Sequence, residues 1–487
     1  MEKSKDLKFY VTLVIALLFM FGMRYVPAPE GLSASGMQVI GIFIGILILW
    51  LTVSIDWPSI FLLGALALVP ELNFNSILQG SYGNSTFVFL MYTFIVTYAL
   101  GKTSFIKRIA LAFITSKFAK RGPWWFVTLY SASIIFIGMF ISPTVLFFVY
   151  LPILEEINNL LGLKKGDKLG AMLMMSTVIM CGVSSGMTPI AHVFPLIAMG
   201  LYSDMYGVAI DYARFMIVAI PVGLLTFALT LASFKLFLRP DMSALKNFDL
   251  SKMQKVNDDV TLAEKIILAV FILVIVLWVV PGLVMLFVTS GPVFDFLDWF
   301  DGLGTAFPPL IGVVLLCIIR VEHKPLLTIG EAMSKGVSWP SLIMCAGTLA
   351  IGSALTNADI GFTSWLSGTL SPIISGMSPI IMVLIFAIWA ALQTNLSSNM
   401  VTSTLVTTAA LSITAGMSSI CIPGVVIIVG MLASYAFATP PAMPCVAIAG
   451  SSGWTNTIQM MIYGFIAMII SILIATFVGY PIATMIF

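Results

Sequence analysis

A chain of 487 residues with 60% hydrophobic and only 9% charged side chains lacks the charged skin, roughly a quarter of all residues, that a soluble protein carries. Its surface is expected to face lipid, where a spanning helix needs about 20 mostly apolar residues. A net charge of +2 points to no nucleic-acid partner, but the placement of the charges is informative. Of the 23 Lys and Arg, all except Arg24 and Arg214 fall in five patches: Lys3 to Lys8, Lys102 to Arg121, Lys164 to Lys168, Lys235 to Lys265, and Arg320 to Lys335. Basic residues beside helix ends stay on the cytoplasmic side. The five patches are therefore expected on one face, and Asp295, Asp298 and Asp301 on the other.

In chain order, residues 8–27 are expected to cross outward, 36–54 to return and 57–70 to cross again. Residues 84–104 come back and lead into a basic, amphipathic, interfacial segment ending at Arg121. The apolar stretch 123–160 starts and ends beside basic patches, which predicts a re-entrant hairpin. Residues 169–201 go out, interrupted, and 212–237 return. A polar linker at 246–261 separates a first half, 1–245, from a second, 262–487. In the second half, 262–288, 304–320 and 336–370 cross in turn, the last broken around Asn357 and Asp359. A hairpin at 378–415 then opens from the outside, followed by an interrupted 422–452 and a final span, 456–486. The expected fold is all-α and polytopic, with about 11 transmembrane helices, two re-entrant hairpins and an inverted-topology repeat preceded by one extra N-terminal helix. The weave places the N-terminus in the cytoplasm and the C-terminus outside a cell membrane.

Four interruptions stand out, because non-helical backbone at membrane depth must be buried in protein or line a cavity. They are Gly138 to Thr144, Ser184 to His192, Gln393 to Met400, and Ala438 to Pro444. The hairpin serines Ser142 and Ser398 precede the Thr-Pro pairs Thr188-Pro189 and Thr439-Pro440 at similar spacing. Each break leaves a half-helix with free N–H groups and a partial positive end, suited to an anion. From residue 336 onward there is no Lys or Arg, so dipoles and hydroxyls must supply binding in that half. His192 lies at predicted membrane depth, whereas His323 lies in a loop. An intramembrane ionisable residue is a functional candidate, here as a cation beside a dianion. Gly41 and Gly45 are read as helix packing, and the five scattered cysteines as small core residues.

These motifs resemble the divalent anion/sodium symporters over essentially the whole chain. Ser142-Pro143-Thr144 and Ser398-Asn399-Met400 are similar to that family's Ser-Asn-Thr hairpin tips, each altered once. Gly186 to His192 and Thr439 to Pro444 are similar to its Thr-Pro turns. The resemblance implies a homodimer with an elevator-like motion and a small dicarboxylate substrate. It implies substrate contacts from Ser142, Pro143, Thr144, Thr188, His192, Ser398, Asn399, Met400, Thr439, Met443 and Pro444. It also implies a residual Na⁺ site from Thr394, Ser397, Asn399 and Ala442. The first tip carries Pro143 where the family has Asn, and Gly138 offers no hydroxyl. With His192 standing in for the missing cation, a Na⁺-independent dicarboxylate exchanger is expected. The alternative is Na⁺-coupled symport of a di- or tricarboxylate such as citrate. No cofactor is expected beyond coupling Na⁺ or H⁺. A proton antiporter would place acids at the breaks, and an intramembrane enzyme would need a paired acid and base or a metal cluster.

Overall fold

The computed structural model describes residues 2–246, 259–285, 287–374, 376–415 and 417–487. Residues 247–258 of the expected linker lie outside these. The chain folds into α1 (Glu2–Gly22), α2 (Ala34–Thr52), α3 (Trp57–Leu66), α4 (Phe74–Gly80), α5 (Ser85–Gly101) and α6 (Phe105–Ile114). Then come α7 (Pro123–Gly138), α8 (Pro143–Leu160), α9 (Lys168–Ser185), α10 (Val193–Tyr206), α11 (Tyr212–Ser233) and the short turn α12 (Ser243–Lys246). The second half holds α13 (Leu262–Met285), α14 (Pro292–Asp301), α15 (Phe307–Ile318), the pair β1 (Arg320–Val321) and β2 (Lys324–Pro325), α16 (Ile329–Glu331), α17 (Trp339–Thr356) and α18 (Phe362–Ile374). It closes with α19 (Pro379–Leu396), α20 (Asn399–Thr414), α21 (Ile422–Ala433), α22 (Pro444–Ser451), α23 (Thr457–Ile474) and α24 (Tyr480–Ile486).

Among the described residues, 8 helical stretches are long and apolar enough to cross a membrane, and α4–α5, bent by 41°, makes up to 9. The chain is a polytopic, all-α membrane protein. Local chemistry sets the helix starts: Ser33, Asn84, Asp211 and Asn456 each cap a helix by accepting a backbone N–H from its first turn. Two expected spans come out short. The helix in 57–70 stops at Leu66 after 10 residues, about 15 Å and half the hydrocarbon thickness. Pro70 disfavours helix at the residue before it, and Asn73 caps α4. The helix in 304–320 runs 12 residues and gives way to the β1–β2 hairpin, where Glu322 and His323 adopt positive φ.

Gly41 and Gly45 bring α1 and α2 into contact. A Cβ on Gly41 would strike the Phe19 carbonyl and Met23, and one on Gly45 would lie 2.6 Å from the Ala16 carbonyl. Gly41→Leu is expected to cost about 1–3 kcal/mol by overpacking, read as a lowered Tm in detergent. Gly64→Leu, at a glycine with open space around it, should leave Tm unchanged.

The two halves are built alike around their interruptions. The hairpin α7–α8 packs on α9 and reaches across to α22, while the hairpin α19–α20 packs on α21 and reaches across to α10. Buried hydroxyls lock the first hairpin in place: Tyr130 to Thr177 at 2.6 Å, Ser131 to Ser176 at 2.7 Å, and Tyr150 donating to Ser133 at 2.7 Å. Such hydroxyl pairs hold membrane helices together where burial of apolar surface cannot. Trp454, just past α22, donates its indole N–H to Glu155 of α8 at 3.0 Å, and Gly170 leaves room for its ring. The two halves thereby interlock.

Candidate functional site

All four interruptions form; the second break starts at Ser434, earlier than the expected Ala438, and each break contacts its own hairpin and the other break. The hairpin tips fall between α7 and α8 and between α19 and α20, with Pro143 and Asn399 buried. The breaks fall between α9 and α10 and between α21 and α22. Each Thr-Pro threonine ties its break to its own hairpin by the same contact. Thr188 Oγ1 donates to the Met139 carbonyl, and Thr439 Oγ1 donates to the Asn395 carbonyl. Met139 and Asn395 hold equivalent places, three residues before Ser142 and Ser398. The breaks also touch each other. Ser185 Oγ reaches the Ser434 carbonyl at 3.4 Å, and a Cβ on Gly186 would lie 2.6 Å from the Met431 carbonyl.

Beside the first tip lies a cavity of about 340 Å³, wide enough for a four-carbon diacid. Ser142, Thr144 and His192 line it, together with Thr93 and Thr97 of α5 and with Ser338 and Ser341 at the start of α17. Its lining includes no Lys, Arg, Asp or Glu. Three helices begin at its wall, α8 from Ser142, α10 from His192 and α17 from Ser338. The partial positive charge at each N-terminal end contributes about 0.3–1 kcal/mol toward a nearby anion. Ser142 makes no capping bond, which leaves its hydroxyl to a ligand. Thr93 Oγ1 is buried in the wall without a protein partner, and a buried polar group of that kind is costly until something meets it. Pro143, as the first residue of α8, contributes geometry and no donor.

His192 meets the cavity with its ring held at Nδ1. Its Nδ1 accepts the Val193 N–H at 3.1 Å, and Phe194 stacks on it at 3.9 Å. An accepting Nδ1 places the ring proton on Nε2. With Nδ1 accepting, His192 would meet a ligand through an Nε2–H donor, whereas the sequence reading has it as a cation beside a dianion.

The second-half residues gather around a different centre. None of Ser398, Asn399, Met400, Thr439, Met443 and Pro444 lines the 340 Å³ cavity. Met400 and Met443 are buried, and Pro444 is exposed at the start of α22. Asn395, a residue the sequence left without a role, organises this region. Its Oδ1 accepts the N–H groups of Phe437 and Ala438 at 2.9 and 2.7 Å, and its Nδ2 donates to the Tyr435 carbonyl at 2.9 Å. Thr394 Oγ1 donates to the Ala433 carbonyl at 2.6 Å, and Ser397 Oγ accepts the Ser398 N–H at 2.5 Å. Asn399 Oδ1 is buried with no donor on it, an oxygen available to a hard cation. Ala442 is buried in the same break and could offer only its carbonyl.

Position for position, the first half lacks these oxygens. Gly138, Met139 and Pro143 stand where the second half has Thr394, Asn395 and Asn399. The space that a side chain at 138 would take is filled by the Ser184 hydroxyl of α9. The two centres are nonetheless linked, because Ser403 of α20 donates to the Phe194 carbonyl at 2.7 Å. The amide at 395, inside the polar interruption from Gln393 to Met400, was a usable signal for the missed hub. Thr93 and Thr97, one turn apart, could have been paired with each other but not assigned to this cavity.

Similarity to known proteins agrees with this architecture. A model of the sodium:sulfate symporter transmembrane region matches residues 7–487. A protein of Staphylococcus saprophyticus named as a sodium-dependent dicarboxylate transporter is 25% identical over 503 residues, spanning 98% of this chain and 92% of its own. One of Staphylococcus aureus strain USA300 with the same name is 24% identical over 489 residues, spanning 95% and 89%. With hairpins, Thr-Pro breaks and a family match over nearly its whole length, the chain belongs to the sodium:sulfate symporter family, the divalent anion/sodium symporters.

Proposed function

We propose that this chain is a secondary transporter of small dicarboxylates in the cell membrane, coupled to Na⁺. The observation that carries the anion half is the cavity at Ser142, Thr144 and His192. Three helix N-termini converge there, among hydroxyls and an imidazole donor, with no fixed charge to repel or trap the cargo. The cation half is carried by the unpartnered, buried Asn399 Oδ1 at the second tip. The names of the staphylococcal relatives support both the dicarboxylate and the sodium. Transport, not catalysis, is the role.

In this reading 1–245 and 262–487 are inverted repeats, on the strength of the matched threonine-to-carbonyl contacts. The substrate sits at the first tip and Na⁺ near the second, with Thr394, Ser397, Asn399 and Ala442 as its surroundings. The two hairpins with α9, α10, α21 and α22 move together past the remaining helices, in a homodimer. The N-terminus is cytoplasmic and the C-terminus external, as the basic patches require.

A second reading, Na⁺-independent exchange, is favoured by Pro143, Met139 and Gly138 in place of oxygen donors. Uptake of labelled succinate into proteoliposomes separates the two. Na⁺-coupled symport predicts uptake into empty vesicles in Na⁺ buffer and none in choline. Exchange predicts uptake only into vesicles preloaded with dicarboxylate, in either buffer. Absence of uptake under all conditions, with succinate and with citrate, contradicts both.

His192→Ala removes a donor to a charged group, a contact of about 1.5–3 kcal/mol. Succinate affinity should fall about 10- to 100-fold, measured by competition binding. His192→Gln, which keeps an N–H donor, should recover most of it. Equal affinities of wild type and His192→Ala would confine the ring to packing.

A further inference from the structure

We propose that the chain holds one anionic phospholipid between its first hairpin and α13, with an acyl chain in a dry cleft and the headgroup on Lys107 and Lys265. The cleft has a volume of about 230 Å³ and an entirely apolar lining. Phe136 of α7 and Phe140 of the tip after it form one wall, Ile275 and Val276 of α13 the facing one, and Ile106 and Ile109 of α6 close an end. It shares no lining residue with the polar cavity at Ser142 and His192, although Ile141, next to Ser142, lines the cleft.

The cleft opens toward lipid. Phe136 is 45% exposed, Ile272 50% and Val276 43%, and on a spanning helix such faces meet acyl chains. Apolar cavities stay dry, so the surrounding bilayer is the source of an occupant. Lining residues on α13 run from Leu268 to Val276, about 12 Å along the helix. A stretch of fatty-acyl chain fits that length and a sugar or carboxylate does not suit that chemistry.

Charge at the Leu268 end of the cleft selects the headgroup. Ser104, just before α6, donates its backbone N–H to Glu264 of α13 at 2.7 Å, which brings the first turns of the two helices together. Lys107 follows the lining residue Ile106, and Lys265 lies one turn before Leu268. Among the described residues neither lysine forms an ion pair, whereas Lys102 is held by Glu331 at 2.9 Å. The Glu264 carboxylate is occupied by Ser104 and by the Thr261 N–H. Basic side chains at a membrane surface attract anionic lipid additively, so two of them over one acyl slot favour a phosphatidylglycerol-type headgroup over a zwitterionic one.

The test is native mass spectrometry of the purified full chain after incubation with phosphatidylglycerol or phosphatidylcholine of identical acyl chains. Wild type is expected to retain one phosphatidylglycerol per protomer, with a preference of at least about fivefold over phosphatidylcholine. Val276→Trp fills the cleft from its exposed mouth, where a bulky residue is tolerated, and should retain neither lipid. The double variant Lys107→Gln, Lys265→Gln should retain both lipids equally. Equal retention of the two lipids by wild type overturns the proposal, as does undiminished phosphatidylglycerol binding by Val276→Trp. An unchanged preference in the double variant removes the headgroup assignment. The readout is lipid mass, so failure here is distinct from failure of the transport reading.

Discussion

Asn395→Ala is expected to be the most damaging single substitution in the second half, leaving little folded protein after detergent extraction. The amide holds the non-helical backbone of the second break, through Phe437 N–H, Ala438 N–H and the Tyr435 carbonyl. All three residues are fully buried. An orphaned buried backbone group costs about 1–3 kcal/mol, so three together cost about 3–9 kcal/mol. That approaches the whole stability of a typical domain, about 5–15 kcal/mol. Fluorescence-detected size-exclusion chromatography measures the loss. A monodisperse peak of wild-type height and Tm would show that the break does not depend on this side chain.

Asn399→Ala should behave in the opposite way, although the two residues lie four positions apart across the hairpin tip. Asn399 Oδ1 has no protein donor, so its removal relieves a buried polar atom and should leave Tm in choline chloride unchanged or slightly raised. What it should abolish is the response to Na⁺. On the proposed Na⁺ site, Na⁺ is expected to raise the Tm of wild type by mass action. In Asn399→Ala that shift should vanish, together with Na⁺ stimulation of succinate uptake. An undiminished Na⁺ shift in the variant would place the coupling ion elsewhere.

These two asparagines mark the limit of what the sequence disclosed. Both are amides in the polar run from Gln393 to Asn399, and nothing local separates the one that holds backbone from the one left open. The distinction arises from residues some forty positions away, at Tyr435 to Ala438. The interruptions themselves were legible because Gly, Pro, Ser and Thr clustered at membrane depth break a helix that lipid would otherwise force to continue. The Thr188 and Thr439 contacts strengthen the pairing of the halves that motif spacing suggested. His192 was legible as a cavity residue, but the ring atom it presents was not, because the Val193 N–H that occupies Nδ1 is a matter of backbone direction. The remaining polar lining residues come from the interior of an ordinary span, Thr93 and Thr97 of α5, and from an ordinary helix start, Ser338 and Ser341. Short helices such as α3 were overextended because apolar runs continue past the point where Pro70 and Asn73 redirect the backbone.

The most direct test of anion binding at the first hairpin tip is its protection by cargo. Ser142→Cys, in a background carrying Cys317→Ser and Cys421→Ser, can be modified by a small charged thiosulfonate reagent reaching the cavity. Succinate should slow that modification in proportion to its occupancy, and succinamide, of the same shape without charge, should not. A modification rate at Ser142→Cys that succinate leaves unchanged, in protein that still transports it, would contradict binding of the anion at this cavity.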